Sequence, residues 1–387
     1  MKTTRISGLL LIPSLLLLLT GCWDSHDLED IDYISGIGID YSDNTYHVYA
    51  QMLDFTVIAR QESRNGTTEP LAYSGQGTGE TVSMAMDQLY DTAQQRIVWS
   101  HVTAIIVTEA ALKHGIQGFA DAINRFREIR YTPWIFGTKG NIDELFHATA
   151  FYNLSSLSTV MHEPSKTYKQ KSWLPPIRLL HFSADYWEPG KTIILPTLGI
   201  NPAQWEKNQK PDPKLQMNGA FVVRDKAVRG WIGNEDLSGL RWMTSETNRT
   251  PLEIREDNTL LAVLSLESPK QEITESFTNG KPLYRIKLTI TGNIVEQIHP
   301  ASEQQLSQIA QSLIQKEVRE TFLKALKLKS DVYQLEYFTY LHHPDIWKQL
   351  KTQAPFFLTK DSLDAVEVRV KITHSGLLKM LQKSYTR

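Results

Sequence analysis

Leu19-Thr20-Gly21-Cys22 is the stretch whose residue types and spacing imply chemistry. An aliphatic residue, two small residues and a cysteine are the pattern of a bacterial lipoprotein signal. The thiol is a nucleophile that accepts a diacylglyceryl group as a thioether. The small residues let the backbone lie flat in a peptidase cleft beside the bilayer. Cleavage before Cys22 frees an amine that is acylated in turn. One acyl chain holds a protein at a membrane only marginally, whereas two or more anchor it stably. Lys2 and Arg5 precede an apolar run, Leu9 to Leu19, interrupted only by Pro13 and Ser14. That run falls short of the ~20 residues a membrane span needs, so residues 1–21 read as a signal peptide. Cys22 is then the expected lipidation site, carrying diacylglyceryl and N-acyl chains. The competing reading is an incidental buried cysteine. It is the only cysteine in 387 residues, which excludes an intramolecular disulfide. A chain this long buries a sufficient core without one.

No second site of comparable specificity exists. Gly75-Gln76-Gly77-Thr78-Gly79 misplaces the third glycine of a dinucleotide fingerprint and reads as a flexible loop. There is no P-loop, no Gly-x-Ser-x-Gly elbow and no His-Glu-x-x-His, since His162-Glu163 is followed by Pro164. His342, His343 and Asp345 could suggest a metal, but adjacent side chains point apart. A solvated turn before Pro344 at the start of a helix is the better reading. Asp24, Asp27, Glu29, Asp30 and Asp32 form an acidic run. It is a solvated spacer or a cation site, the former favoured because anionic headgroups repel it. His101, Arg125, Arg127 and Arg130 are the best cluster for an anion contact, against a solvated helix end plus one core histidine. Catalytic residues, cofactor and metal are therefore all expected to be absent.

Removal of Lys2 and Arg5 leaves 39 basic against 43 acidic residues, so the formal charge goes from −2 to −4. That balance excludes a dedicated nucleic-acid binder. The hydrophobic fraction of 41% and aromatic fraction of 10% are those of a globular chain. Of nine tryptophans, Trp231, Trp242 and Trp347 lie in core-like patterns. Trp23 follows the lipidated residue and suits the headgroup layer. Trp173, Trp187 and Trp205 lie in a Pro-rich segment and suit either a protein contact or core filling.

The elements that must position these residues follow from periodicity. Ile34–Ile39 and Tyr46–Met52 alternate about Asp43-Asn44 and predict a hairpin. Residues 59–79 predict a mobile loop, and Thr78 to Thr81 opens a helix. Val102–Thr108 predicts a buried strand, 109–127 one helix, Tyr131–Gly137 a strand and 141–150 a helix. Asn201–Pro213 reads as a linker. Gly219–Val223 and Ala227–Ile232 flank a turn at Asp225-Lys226, and a short helix starts at Asn234. Leu260–Leu266, Gln271–Thr278 and Leu283–Thr291 predict strands, the last two about Asn279-Gly280. Ser302 caps a helix to Leu328 with a stripe of Leu306, Ile309, Leu313, Val318, Phe322 and Leu326. Asp364–Thr373 closes the sheet.

The fold class expected is α+β: a three-domain mixed α/β lipoprotein, its C-terminal antiparallel sheet packed on a long helix. The expected parts are a signal peptide (1–21), an N-terminal α+β domain (22–140), a middle mixed domain and linker (141–215) and a C-terminal α+β domain (216–387).

Gly21-Cys22-Trp23-Asp24, then Leu28, then Gly36-Ile37-Gly38-Ile39-Asp40 closely resembles the Ger(x)C family of spore germination lipoproteins. Ser100-His101 and the Arg-rich stretch 125–130 resemble that family's first domain. Gly219 to Met243 resembles its central hairpin and helix, and Pro344–Trp347 with His374-Ser375-Gly376 its C-terminal end. The sequence departs from the family pattern at Asp331-Val332-Tyr333-Gln334-Leu335, which lacks a glycine often found there, and at Val228-Arg229-Gly230-Trp231. The resemblance implies a three-domain α/β fold and a non-enzymatic lipoprotein subunit of a spore nutrient germinant receptor. It implies a place on the outer surface of the spore inner membrane, two integral membrane subunits as partners, and no nucleic acid. It supplies no catalytic residue, and only Cys22 carries over directly. A lipid-anchored extracytoplasmic solute-binding protein is the alternative; it would need two similar lobes around a cleft, which the dissimilar halves do not suggest.

Overall fold

The computed structural model describes residues 31–53 and 72–374. Cys22, Trp23, the acidic residues 24–30 and the first part of the expected loop 59–79 lie outside them. Strands β1 (Ile31–Ser42) and β2 (Thr45–Leu53) form the expected hairpin. Asp43 and Asn44 at its tip have φ of 50° and 60°, the left-handed pair that matches strand twist.

The glycine-rich stretch is a strand, not a loop. β3 (Ala72–Gly79) pairs antiparallel with β2. Its glycines serve close approach: a Cβ on Gly77 would lie 2.0 Å from the Ala85 carbonyl oxygen, and one on Gly79 2.6 Å from the Ala85 nitrogen. Those atoms belong to helix α1 (Val82–Gln88), whose N-cap Thr81 accepts a hydrogen bond from the Met84 amide. β4 (Arg96–Val98) and β5 (Ala104–Thr108) follow, both parallel to β1. The single helix expected over 109–127 is two, α2 (Glu109–His114) and α3 (Ile116–Arg125), broken at Gly115. β6 (Trp134–Thr138) runs parallel to β5, and α4 (Ile142–Phe146) follows it.

The sheet continues through the expected middle domain. After α5 (Pro164–Gln170), β7 (Ile177–Arg178) pairs with β6. Helix α6 (Leu179–Trp187) leads to β8 (Thr192–Asn201), parallel to β6. The Asn201–Pro213 linker holds a small hairpin, β9 (Glu206–Lys207) with β10 (Lys210–Pro211). β11 (Lys214–Arg224) and β12 (Ala227–Gly233) form the expected hairpin, but β11 pairs with β8 over ten residue pairs. The expected boundary at 215/216 therefore falls inside β11, a strand of this first sheet. Local turn chemistry marks a hairpin without saying which sheet owns it. The order is β12-β11-β8-β6-β5-β1-β2-β3, with β4 and β7 beside β1 and β6.

Helices cover both faces. On one, Val82, Leu112, Phe119, Ile123 and Phe182 bury against Ile37, Ile39, Val48 and Ile105. On the other, Ile142, Leu145, Phe146 and Met161 cover Ala104, Ile106 and Phe136.

A tight helix Glu235–Trp242 leads to the C-terminal sheet: β13 (Thr250–Glu256), β14 (Thr259–Thr278), β15 (Lys281–Gln297) and, last among the described residues, β16 (Leu363–His374). The two strands expected at 260–266 and 271–278 are one, interrupted by an irregularity between Glu267 and Lys270. Strands β13 to β15 are antiparallel as expected, but β16 is parallel to β15. Its connection passes through α7 (Glu303–Lys327), α8 (Leu335–His342) and α9 (Pro344–Gln353), and such a crossover returns a strand in the same direction. Ser302 caps α7 as expected, accepting from the Gln305 amide. The fully buried line is Leu306, Ala310, Ile314, Val318, Phe322 and Ala325, with Ile309, Leu313 and Leu326 on its flanks. Among the described residues no helix is long and apolar enough to cross a membrane.

Candidate functional site

The rim of the first sheet where its parallel strands begin gathers the histidine and arginines singled out as an anion-contact cluster. β1, β5 and β6 all start there, so the segments leading into them converge. Arg96 sits opposite Ile31 across the β4–β1 pair. Trp99, fully buried, pins the rim. Its amide donates to Glu128 Oε2 at 3.1 Å, its indole N–H donates to Tyr90 Oη at 2.7 Å, and its ring meets Phe126 edge-on at 5.8 Å. The loop after α3 is thereby held against the β4–β5 connection. Arg178 stacks on the Trp134 ring at 3.8 Å and donates to the Thr132 carbonyl. His101 lies edge-on to Tyr33 at 4.7 Å.

Arg96, Arg125, Arg127 and Arg130 are exposed on this rim, and among the described residues none of the four guanidinium groups has an ion pair or hydrogen bond. Acids share the rim: Asp32 and Glu128 lie on it, and Asp24, Asp27, Glu29 and Asp30 directly precede Ile31 in the chain. Glu128 is engaged by Trp99, and partial burial raises the Asp32 carboxyl above its ordinary value. Beside the arginines, Tyr131 is 46% and Leu180 53% exposed. They are neighbours, since the Leu180 amide donates to the Tyr131 carbonyl at 3.0 Å. The expected cluster of His101, Arg125, Arg127 and Arg130 is thus brought to one rim, and Arg96 joins it.

Family models for a spore germination protein N-terminal domain and a spore germination B3/GerAC-like C-terminal region match residues 24–200 and 218–376. The chain belongs to the Ger(x)C spore germination family. Within this family it is similar to spore germination protein KC of Bacillus subtilis (strain 168), 25% identical over 399 residues that cover 93% of each chain. It is also similar to spore germination protein B3 of the same organism, 21% identical over 352 residues, covering 87% of this chain and 89% of that one. The crystal structure of the GerBC protein superposes with a TM-score of 0.53 at 15% identity, over 88% of this chain and 97% of that one. That likeness shows the α+β fold of this Ger(x)C chain. The two family models meet between residues 200 and 218, so they too divide the chain across β8 and β11.

The remaining candidate residues of this Ger(x)C chain fall elsewhere. His342 ends α8, and His343 precedes Pro344 at the first turn of α9, as expected. His343 Nε2 is 3.8 Å from Glu275 Oε2 and its ring is edge-on to Phe277. Among the described residues no three metal-type side chains group together. Trp242 is fully buried, while Trp231 and Trp347 are only partly so. Trp187 and Trp205 are exposed. Trp205 meets Phe151 edge-on at 4.9 Å beside a cleft of about 640 Å³ that Phe151, Trp173 and Lys214 help to line.

Two buried polar groups had no sequence signal. Gln51 takes a hydrogen bond from Ser35 Oγ at 2.9 Å, donates to the Phe146 carbonyl at 2.7 Å and meets His162 Nε2 at 3.0 Å. Burial pushes His162 down to about 3, so the ring is neutral. The second group joins the two sheets. Arg224, at the end of β11, bonds Glu336 at 2.8 Å and donates to the carbonyls of Lys329 and Pro355. Asp331 accepts from the Tyr333 and Glu336 amides, and burial raises it to about 7. Gln334 stands in the left-handed region, φ 62°, in the stretch that lacks the family glycine. Its side chain compensates by bonding both the Thr192 amide and carbonyl.

Proposed function

We propose that this chain is the lipid-anchored, non-enzymatic subunit of a spore nutrient germinant receptor, bound through acyl chains on Cys22 to the outer surface of the spore inner membrane. One observation carries the reading: a lipoprotein signal ending at Cys22 stands directly before two spore germination family models that together run from residue 24 to 376. Eight residues separate Cys22 from Ile31. At ~3.3–3.6 Å per residue the tether reaches roughly 30 Å, which keeps the body close to bilayer-embedded partners and raises its effective concentration there. Two integral membrane subunits are the proposed partners. Ligand-driven change would pass between subunits as a shift between arrangements. The three-part division of the chain stays part of this proposal, with the parts sharing strands rather than separated by a linker.

Deleting the gene is expected to abolish nutrient-triggered germination and leave sporulation intact, and Cys22→Ala is expected not to restore it. A normal nutrient response in a deletion strain without paralogues would refute the receptor role. Calorimetry of the unlipidated body with amino acids, sugars or nucleosides is expected to give no heat of binding. Tight binding would favour a solute-binding lipoprotein instead.

A further inference from the structure

We infer that the arginine-bearing rim is a docking surface for an anionic phospholipid bilayer, so that the body rests on the membrane with the starts of its parallel strands facing it. Three observations converge. The chain enters the described body at Ile31, on this rim, directly opposite Arg96. Arg96, Arg125, Arg127 and Arg130 are exposed there without ion pairs or hydrogen bonds among the described residues, in a chain whose overall charge is negative. Cations without ion pairs also stand elsewhere on the surface, Arg249, Lys270 and Arg369 among them; what sets the rim apart is that four arginines gather where the chain enters. Tyr131 and Leu180 place an amphipathic ring and an aliphatic side chain beside the charges, a combination suited to the headgroup layer.

Each basic side chain at an anionic surface contributes about a five-fold factor in partitioning, and the attraction fades within a Debye length. Four such groups, set against Asp24, Asp27, Glu29 and Asp30 in the segment just before Ile31, are too weak to hold the body alone at physiological salt. They suffice to orient a body that a tether already confines. The inference rests on the lipid-anchor reading for its biological setting, but the surface is testable without the lipid.

The test uses the mature chain carrying Cys22→Ala, mixed with vesicles of phosphatidylcholine alone or with phosphatidylglycerol, and read by co-sedimentation at low salt. Binding to the phosphatidylglycerol vesicles is expected to exceed binding to phosphatidylcholine at least about ten-fold and to fall as salt is raised. Arg96→Gln with Arg127→Gln and Arg130→Gln should bring it down close to the phosphatidylcholine level, while replacing all three by lysine should largely keep it. A control with the same charge change elsewhere, Arg255→Gln with Lys287→Gln and Lys316→Gln, should bind nearly as the parent does. Equal binding to both vesicle types, or equal loss in the control, would overturn the inference. So would parent-like binding by the arginine variant with an unchanged melting curve. That last result would leave the arginines to an acidic protein segment, such as residues 24–30. A bare thiol on Cys22 in the native protein would remove the anchor but leave this vesicle result standing, so the two failures are separable.

Discussion

His162 shows what a buried titratable side chain does to this molecule. Gln51 Oε1 can only accept, so the neutral ring donates to it from Nε2. The native ring resists protonation down to about 3, whereas an unfolded histidine takes a proton below ~6.5. The stability His162 contributes is therefore complete above pH ~6.5 and lost as pH falls toward the native value, by about 1.4 kcal/mol per pH unit. Asp331 has the opposite sign. Its native carboxyl titrates near 7, above the unfolded ~3.9, so its contribution is complete at low pH and lost as pH rises toward 7. The two oppose each other between about pH 4 and 6.5, and single variants separate them. From pH 7 to pH 5, urea unfolding should find His162→Gln gaining about 2 kcal/mol relative to the parent, and Asp331→Asn losing a similar amount. No shift in either difference would contradict the burial assigned to these groups. Neither group was legible in the sequence, because Ser35, Gln51 and His162, with Thr103 bonded to His162 Nδ1, meet through tertiary pairing with no common period. Arg125, Arg127 and Arg130 were legible as a cluster from proximity alone. Arg96 was not, because it reaches them through a parallel strand pair.

At the scale of elements, chemistry local to a turn read well. Asp43-Asn44, Asp225-Lys226 and Asn279-Gly280 all carry the positive φ pairs expected of them. Ser302 caps the helix it was expected to open, whereas of the stretch Thr78 to Thr81 only its last residue caps α1, Thr78 and Gly79 belonging to β3. The failures came where a distant element decides. Ala72–Gly79 has the composition of a loop, yet it pairs with β2 from Tyr46 to Leu53 because its glycines admit α1 to van der Waals contact. Gly77→Ala should accordingly cost about 1–3 kcal/mol through overpacking, measured by urea unfolding. Gly75→Ala, whose Cβ would meet only Leu89 Cδ2 at 3.2 Å, should cost clearly less. Equal costs at the two positions would contradict the close helix approach.

At the scale of the whole molecule, the described residues form two large sheets that share an apolar core, the Gln334–Thr192 bonds and a buried ion pair. Arg224 comes from the first sheet and Glu336 from a helix of the C-terminal part, and both are almost fully buried. Removing one partner of such a pair typically costs ~3–5 kcal/mol, because the other is left charged and dry. Arg224→Met should destabilise by that order in thermal or urea unfolding, and Glu336→Leu added to it should restore a large part. A double variant no more stable than the single one would mean the latch works through its carbonyl bonds instead. Sequence patterning could not assign β11 and β12 to a sheet, since their apolar alternation suits either one. The pairing with β8, and the Arg224 latch it carries, decide it. The proposed tether, by contrast, rests wholly on the first 22 residues, and the proposed place at the membrane beside integral partners depends on it. Mass spectrometry of the protein extracted from spore membranes tests it most directly. The account predicts an N-terminal peptide beginning at Cys22 with a thioether-linked diacylglyceryl group and an amide-linked fatty acid; a chain still beginning at Met1, or a free thiol at Cys22, would contradict it.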